Sequence, residues 1–162
     1  MPSTLESVYD VVWCSQAEVP AKGEIVSVNR AHYESGVIER VHKFIPPPTW
    51  RARYEQINAF EAMLVAEGTV IVKCFLHISK SEQRKRLLAR LDDPTKQWKF
   101  NVGDIDERQL WDDYMAAYED MVNKTSTDAA PWHVVPADKK WYRNYVVSRL
   151  LVDALKQINP QY

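Results

Sequence analysis

Apolar residues occur in two patterns along the chain. Short continuous runs predict strands, and a recurrence every three or four positions predicts helices. The run Thr69–Ile78 is nearly continuous in apolar and β-branched residues, which is typical of a strand covered on both faces. Shorter runs, Glu24–Val28 and Trp132–Pro136, predict two more strands. Because helical stretches separate the three runs, their order predicts an α/β layer built on a parallel sheet.

Six stretches carry helical spacing or helix-end signals. Between Trp50 and Leu64 apolar residues recur every three or four positions, so one face of that helix meets a core. Gly68 then stands where a helix-ending glycine belongs, and Ser79 with Glu82 forms a capping box that opens the next helix. The predicted helices cover Leu5–Ala17, Asn29-Arg30 through His42, Thr49 (the cap) to Glu67, Ser79–Leu91, a capping signature at Asp104–Glu107 continuing to about Lys124, and Lys139–Gln157.

Composition narrows the class of protein. A chain of 162 residues fits one domain, and its 46% hydrophobic content supports a real core. The net charge of -1 argues against a nucleic-acid partner, because wrapping a phosphate polymer usually requires a basic domain. Cys14 and Cys74 lie in no CxxC or Cys/His pattern, which fits a reducing cytoplasm. With neither a signal-peptide pattern nor a membrane-length apolar run, we expect a cytoplasmic protein without a membrane partner.

Polar residues follow each predicted strand, at the edge where open parallel sheets bind ligands. Asn29 and Arg30 come directly after the first strand, and the guanidinium fork of Arg30 suits a pair of phosphate oxygens. Glu34, one helical turn further, could orient Arg30 or help to hold Mg²⁺ through water. The alternative is a simple ion pair on a solvated helix. The segments Ser79–Ser81 and Pro136–Lys140 follow the other two strands, and helix starts are often polar for capping reasons alone.

A basic helix and the loop after it form a second candidate site. Arg86 and Arg90 are one turn apart and share a face, with leucines on the other side. Such a stripe can neutralise a chain of phosphates or the charge that develops on a transferred phosphoryl group. The alternative is a solvated helix face, the usual role of a run of charges. The cations of this stretch are Lys80, Arg84, Lys85, Arg86, Arg90, Lys96 and Lys99.

The remaining residue types offer less chemistry. None of the four histidines, His32, His42, His77 and His133, has the spacing of a metal site, so each is expected to be structural. The chain also has no Ser/His/Asp or Cys/His arrangement that would indicate a covalent nucleophile.

Several long motifs, in the same order, resemble the polyphosphate kinase 2 family. The likeness runs from about Pro20 to about Leu155, nearly the whole chain, and the number of ordered motifs makes it specific. The motifs are Trp50–Glu61, Phe75–Gln83, Arg86–Phe100, Trp111–Glu119, Ala130–Trp132 and Val135–Asn144.

The resemblance implies a fold and an activity. The fold would be α/β: a three-layer, P-loop-kinase-like parallel sheet flanked by helices and incomplete at the N-terminus. It would form a single domain over residues 1–162, with a helical lid segment at about residues 84–110. The activity would be Mg²⁺-dependent transfer of phosphoryl groups between inorganic polyphosphate and adenine or guanine nucleoside mono- or diphosphates. Assembly into a homo-oligomer is left open.

The resemblance also implies roles for individual residues, carried over position by position. The implied catalytic residues are Arg30, Arg86 and Arg90. The implied substrate-binding residues are Asn29, His32, Tyr33, Glu34, Lys96, Lys99, Asp138 and Lys139. No side chain of this chain is implied as a direct metal ligand.

Two departures from the family pattern bear on activity. Ser35 stands where family members often continue the His-Tyr-Glu motif with Asp. None of the four glycines lies in a G-x-x-x-x-G-K-[ST] arrangement, so these 162 residues contain no phosphate-binding loop. With three strands, the one ending at Val28 either pairs with the one starting at Thr69 or leaves a gap that invites a partner chain. The alternative function is therefore a catalytically inactive remnant or subunit that binds polyphosphate or nucleotide, or completes its fold with another chain.

Overall fold

The fold is described from a computed structural model of the chain, which describes residues 12, 16, 19–29 and 32–161. The predicted helix Leu5–Ala17 falls almost wholly outside these residues, and Arg30 lies outside them. The helices and strands are α1 (Tyr33–Val41), α2 (Pro47–Ala66), β1 (Lys73–His77), α3 (Lys80–Asp92), a 3₁₀ turn (Gln97–Lys99), α4 (Gly103–Gln109), α5 (Trp111–Thr125), β2 (Trp132–Pro136) and α6 (Lys140–Ile158).

The chain divides into two compact units. The first contains the described residues up to Ile71 together with Asp113–Pro131, and the second contains Val72–Asp112 together with 132–161. Each unit is described by itself below, and the single-domain prediction stays a prediction.

The first unit packs the apolar stripe that the sequence predicted along α2. Its buried hydrophobic residues are Val37, Tyr54, Ile57, Phe60, Ala117, Met121 and Ala130. Thr49 was expected to cap α2, but the helix begins at Pro47 with Pro46 as its cap residue. Proline fits a first helical turn because that turn leaves its N–H groups without helical partners.

The end of α2 matches the sequence prediction. Gly68 adopts a positive φ of 92°, which glycine accepts without steric cost. The N–H groups of Gly68 and Thr69 donate to the carbonyls of Val65 and Leu64, at 3.0 Å each. This pair of bonds is the Schellman motif, which satisfies carbonyls that the helix end leaves free.

The second unit is built on a parallel pair of strands. β1 pairs with β2 in the register Lys73↔Trp132 to His77↔Pro136, and α3 and α6 follow the two strands. Val135 is fully buried on β2, and the exposed fraction of Lys73 is 6%. The ammonium of Lys73 lies 5.3 Å from the centre of the Trp132 ring, a cation–π contact that offsets its burial. The small parallel sheet flanked by helices confirms the predicted α/β class.

The predicted strand at Glu24–Val28 was wrong. The described residues there are irregular and exposed, and the exposed fraction of Ile25 is 79%. A run of apolar residues becomes a strand only where a neighbouring strand completes its hydrogen bonds. Within the described part of the chain β1 bonds to β2, and neither bonds to residues 24–28.

The long helix predicted after Asp104 is interrupted. α4 ends at Gln109, and Leu110 leaves the helical region with ψ at 15° before α5 begins. The capping signature was misplaced as well, because Val102 is the cap residue and Asp104 lies inside the first turn. The side chain of Asn101 instead accepts the N–H of Gly103 at 2.9 Å. No helix among the described residues is long and apolar enough to span a bilayer.

Candidate active site

The carboxyl ends of β1 and β2 lie side by side in the second unit. His77 pairs with Pro136 as the last rung of the sheet, and the N–H of Ala137 donates to the carbonyl of His77 at 2.7 Å. Because the strands are parallel, the segments that leave them emerge at the same edge. The Ser79 and Asp138 segments, which follow these two strands, meet there in a direct hydrogen bond.

Asp138 joins the two segments through its carboxylate. Its Oδ1 accepts the backbone N–H of Ser79 at 2.8 Å, while the Oγ of Ser79 accepts the N–H of Glu82 at 3.1 Å. Hydrogen bonding by Ser79, first from its backbone and then from its side chain, lowers the pKa of Asp138. The capping box at α3 is thus half formed, since Asp138 takes the N–H that the Glu82 side chain was expected to take.

Arg86 uses its guanidinium to connect α3 with the segment after β2. Its Nε donates to Glu82 at 2.8 Å, and its Nη2 donates to the carbonyls of Ala137 at 2.7 Å and Asp138 at 3.4 Å. The side chain is about one-third exposed. A guanidinium has five N–H donors, so Arg86 keeps some for a ligand while it fixes the geometry of the strand ends.

Two further cations of the lid segment, Arg90 and Lys96, each have an acidic neighbour. Arg90 lies 3.5 Å from Asp104, with 40% of its side chain exposed. Lys96 donates to Asp93, and the bonds from Lys96 and then Thr95 hold the pKa of Asp93 at about 2. Exposed pairs of this kind are weak, so a polyanion can displace the carboxylates and take over both cations.

Lys99, also in the lid segment, lies beside an aromatic ring. The ammonium of Lys99 is 4.9 Å from the centre of the Trp98 ring, and the exposed fraction of Trp98 is 78%. Lys139 is exposed and is the cap residue of α6, directly after Asp138. The second unit therefore holds six of the predicted site residues: Arg86, Arg90, Lys96, Lys99, Asp138 and Lys139.

Arg108 makes contacts with α3 that were not predicted from the sequence. From α4, its Nη1 donates to the backbone carbonyl of Lys80 and to the side chain of Gln83, at 2.7 Å each. These bonds anchor the lid segment to the first turn of α3. Nothing in the local sequence marks Arg108, because its partners lie 25 and 28 positions away.

The first unit holds the other predicted residues, and two of them face its interior. The hydroxyl of Tyr33 donates to Glu61, and Nε2 of His32 lies 3.8 Å from the same carboxylate. Glu61 is buried, and burial followed by the Glu61 charge raises the pKa of Tyr33 far above its usual range. These two side chains hold the start of α1 against α2. Their polar atoms are therefore directed at Glu61 and away from a ligand.

Glu61 itself could have been found from the sequence. It follows Phe60 on the stripe that Ile57 and Leu64 define, so helical spacing places a carboxylate on the buried face. Asn29, in contrast, lies exposed at a bend, and Glu34 lies in the first turn of α1. Arg30, the residue expected to contact phosphate, lies outside the described residues.

Mg²⁺ was implied by the family resemblance. The described residues contain no group of three His, Cys, Asp or Glu side chains placed to hold a metal ion. In phosphotransferases Mg²⁺ is usually bound by one or two carboxylates together with phosphate oxygens of the substrate. The exposed carboxylate of Asp138 at the strand ends is suited to be such a carboxylate.

The parallel strands and the polar segments at their carboxyl ends define a protein of the parallel α/β class. The sequence profile of the family described as Polyphosphate kinase 2 matches residues 1–162. The chain belongs to the polyphosphate kinase 2 family, which confirms the resemblance read from its motifs.

Named relatives and a solved structure agree with this membership. The AMP/ADP-polyphosphate phosphotransferase of Meiothermus ruber is 50% identical over the whole chain, which covers 61% of that protein. The ADP-polyphosphate phosphotransferase of Rhodopseudomonas palustris is 42% identical over 99% of the chain and 60% of its own length. The crystal structure of Polyphosphate Kinase 2 from Arthrobacter aurescens TC1 superposes with a TM-score of 0.95 at 48% identity, over 99% of this chain and 58% of that one. The chain thus spans about three-fifths of the length of these relatives.

Proposed function

We propose that this chain takes part in phosphoryl transfer between inorganic polyphosphate and a nucleoside mono- or diphosphate. The observation that carries the proposal is the junction of the Ser79 and Asp138 segments at the strand ends, from which the basic helix α3 departs. The relatives from Meiothermus ruber and Rhodopseudomonas palustris are named for transfer with AMP or ADP, which favours adenine nucleotides here. Their names give no support to the alternative of an inactive remnant.

The transfer exchanges one phosphorus–oxygen bond for another. The bond between the terminal and the preceding phosphate of polyphosphate breaks, and the terminal phosphorus bonds to a phosphate oxygen of the nucleotide. Catalysis of such a step consists mainly of positioning and of stabilising charge on the transferred group. We assign charge stabilisation to Arg90 and polyphosphate binding to Lys96 and Lys99, which are exposed cations of one segment.

Arg86 and Asp138 have a different role in this proposal. Both are held by hydrogen bonds at the strand ends. They therefore fix the geometry of the site and hold the start of α3 against the segment that follows β2. Lys139, exposed beside them, is proposed to contact the nucleotide.

The residues before and within α1 complete the proposed site on the strength of the family resemblance. Arg30 is proposed to contact the transferred phosphate, while Asn29 and Glu34 are proposed to contact substrate. Because Tyr33 donates to Glu61 and His32 lies 3.8 Å from the same carboxylate, both are proposed to hold this segment in place. When bound, Mg²⁺ would neutralise phosphate charge, with carboxylates such as Asp138 as its protein ligands. A cytoplasmic location and assembly of several copies are consistent with the proposal.

Polyphosphate binding tests the role of the lid segment. Affinity for a polyphosphate of defined length is measured at several salt concentrations for the parent chain, Arg90→Ala and Arg149→Ala. Arg149 is a matched control, since it lies on α6 in an exposed ion pair with Asp153. We expect Arg90→Ala alone to weaken binding and to reduce its salt dependence by about one contact. If both variants bind as the parent does, Arg90 has no part in phosphate binding.

A further inference from the structure

The turn that links α3 to α4 carries two of the cations proposed to bind polyphosphate, Lys96 and Lys99. Residues 94–99 are all exposed, so burial in a core does not hold this turn in shape. An exposed loop without internal bonds samples many conformations, and a ligand that orders it must offset that entropy. The shape of this turn therefore depends on its own hydrogen bonds.

Asp93 accepts several of these bonds at the start of the turn. Its Oδ1 accepts the backbone N–H of Thr95 at 3.0 Å and the hydroxyl of Thr95 at 2.7 Å. Its backbone carbonyl accepts the N–H groups of Lys96 at 2.8 Å and Gln97 at 3.1 Å. Pro94 follows directly and favours the extended conformation that Asp93 adopts, with φ at -100° and ψ at 106°. The side chain of Asp93 thus helps to fix the direction in which the chain leaves α3.

Trp98 extends this frame to the second lysine. Its Nε1 donates to the carbonyl of Thr95 at 3.0 Å, and its ring lies beside the ammonium of Lys99. The N–H of Lys99 donates to the carbonyl of Lys96 at 2.9 Å. Because Thr95 is bonded to both Asp93 and Trp98, the backbone that carries the two lysines is held in one shape before polyphosphate arrives.

The carboxylate of Asp93 has two opposing effects on the binding of an anion. Its Oδ2 accepts a bond from the ammonium of Lys96, so it competes with a phosphate for that cation, and its charge repels phosphate. Its bonds to Thr95 act in the other direction, because a turn already held in one shape loses less entropy when it binds. The two effects predict opposite results when the side chain is removed.

We propose that Asp93 is a positioning residue for polyphosphate, and that its bonds to Thr95 outweigh its charge. It would act through Lys96 and Lys99, which it holds on one ordered turn. Polyphosphate would displace the Lys96 ammonium from Oδ2, whereas the bonds from Thr95 to Oδ1 stay intact. The inference rests on the polyphosphate binding proposed for this segment, and it is measured without turnover.

Replacement of Asp93 separates its charge from its hydrogen bonds. Affinity for a linear polyphosphate of defined length is measured by calorimetry for the parent, Asp93→Ala, Asp93→Asn and Asp92→Ala. Asp93→Asn keeps an acceptor for Thr95 and removes the charge, so it should bind at least as tightly as the parent. Asp93→Ala removes both, and it should bind more weakly than the parent and about three- to tenfold more weakly than Asp93→Asn. Asp92→Ala removes the same charge from the exposed end of α3 and should not weaken binding.

The transfer assay distinguishes positioning from a part in the chemical step. Asp93→Ala should raise the KM for polyphosphate and leave kcat within about twofold of the parent. A lower kcat with an unchanged KM would overturn the inference. So would Asp93→Ala that binds as tightly as the parent or as Asp93→Asn, or a folded parent that binds no polyphosphate. A chain that forms no product but shows the expected order of affinities would contradict the proposed transfer while supporting the role of Asp93.

Discussion

The carboxylate of Asp138 accepts the backbone N–H of Ser79 at 2.8 Å, across 59 positions of sequence. This bond joins the segment after β2 to the cap of α3, and it lies at the edge where a parallel sheet binds its ligands. It replaces the side-chain half of the capping box that the local sequence predicted. Several consequences of this arrangement, and of the buried cluster in the first unit, can be measured.

The Asp138 bond should make stability depend on pH in the acid range. A carboxyl whose pKa is lower in the folded than in the unfolded state stabilises the fold above its unfolded pKa, about 3.9. That stabilisation is lost as the pH falls through the folded pKa. Asp138→Asn keeps an acceptor oxygen but removes the titrating charge. We therefore expect it to lower the Tm at pH 7, and the difference from the parent to shrink below about pH 4.

Thermal unfolding at pH 7 and at pH 3 measures this effect. Asp153→Asn, on the exposed face of α6 in the same unit, is the control and should change the Tm little at either pH. An Asp138→Asn chain that matches the parent at pH 7 would show that the charge of the Asp138 carboxylate adds no stability.

Arg86 should be sensitive to a change of shape at constant charge. Its Nε and Nη2 donate in different directions, to Glu82 and to the carbonyl of Ala137. A lysine ammonium cannot reach both partners with the same geometry. Arg86→Lys should therefore destabilise the chain by about 1–3 kcal/mol. Urea unfolding measures this against Arg84→Lys, an exposed position of the same helix; equal stability of the two variants would contradict the role assigned to Arg86.

Glu61 should stabilise the first unit through Tyr33. Glu61→Ala leaves the buried hydroxyl of Tyr33 without its acceptor, at a cost of about 1–3 kcal/mol. Glu61→Gln retains an acceptor oxygen and should lose less. Denaturant unfolding of both variants, beside Glu55→Ala on the exposed side of α2, measures the order of these losses. If Gln and Ala at position 61 were equally destabilising, the hydrogen bond would not be the source of the stability.

Neighbouring valines of β2 should differ sharply in their effect on stability. Val135 is fully buried, whereas the exposed fraction of Val134 is 57%. Val135→Ala should cost about 1–3 kcal/mol through lost burial and the cavity left behind. Val134→Ala should change stability by less than about 0.5 kcal/mol. Similar losses in the two variants, measured by urea unfolding, would mean that the second unit meets a partner at Val134.

Local signals in the sequence predicted the elements that depend on local chemistry. The glycine end of α2, the Ser79 cap of α3 and the apolar run of β1 were each predicted from a few adjacent residues. The meeting of Ser79 and Asp138 was also predictable, because parallel strands bring their carboxyl ends to one edge.

The errors arose where the outcome depends on distant partners. Glu24–Val28 has the composition of a strand, but the described sheet gives it no neighbour. The bonds of Arg86 to Ala137 and Asp138, and those of Arg108, run to residues 25 to 52 positions away, so helical spacing could mark their charge but not these contacts. The bond from the hydroxyl of Tyr33 to Glu61 also depends on the packing of α1 on α2, which the motif around Tyr33 does not encode.

Phosphoryl transfer by the chain itself tests the central proposal most directly. The purified chain is incubated with polyphosphate, Mg²⁺ and AMP or ADP, and the phosphorylated nucleotide is quantified beside a heat-killed control. We expect product from the parent and from Arg149→Ala, and at least about tenfold less from Arg90→Ala, since a cation that stabilises the transferred group acts on the rate. A folded chain that forms no product, or an Arg90→Ala variant as fast as the parent, would contradict the proposed function.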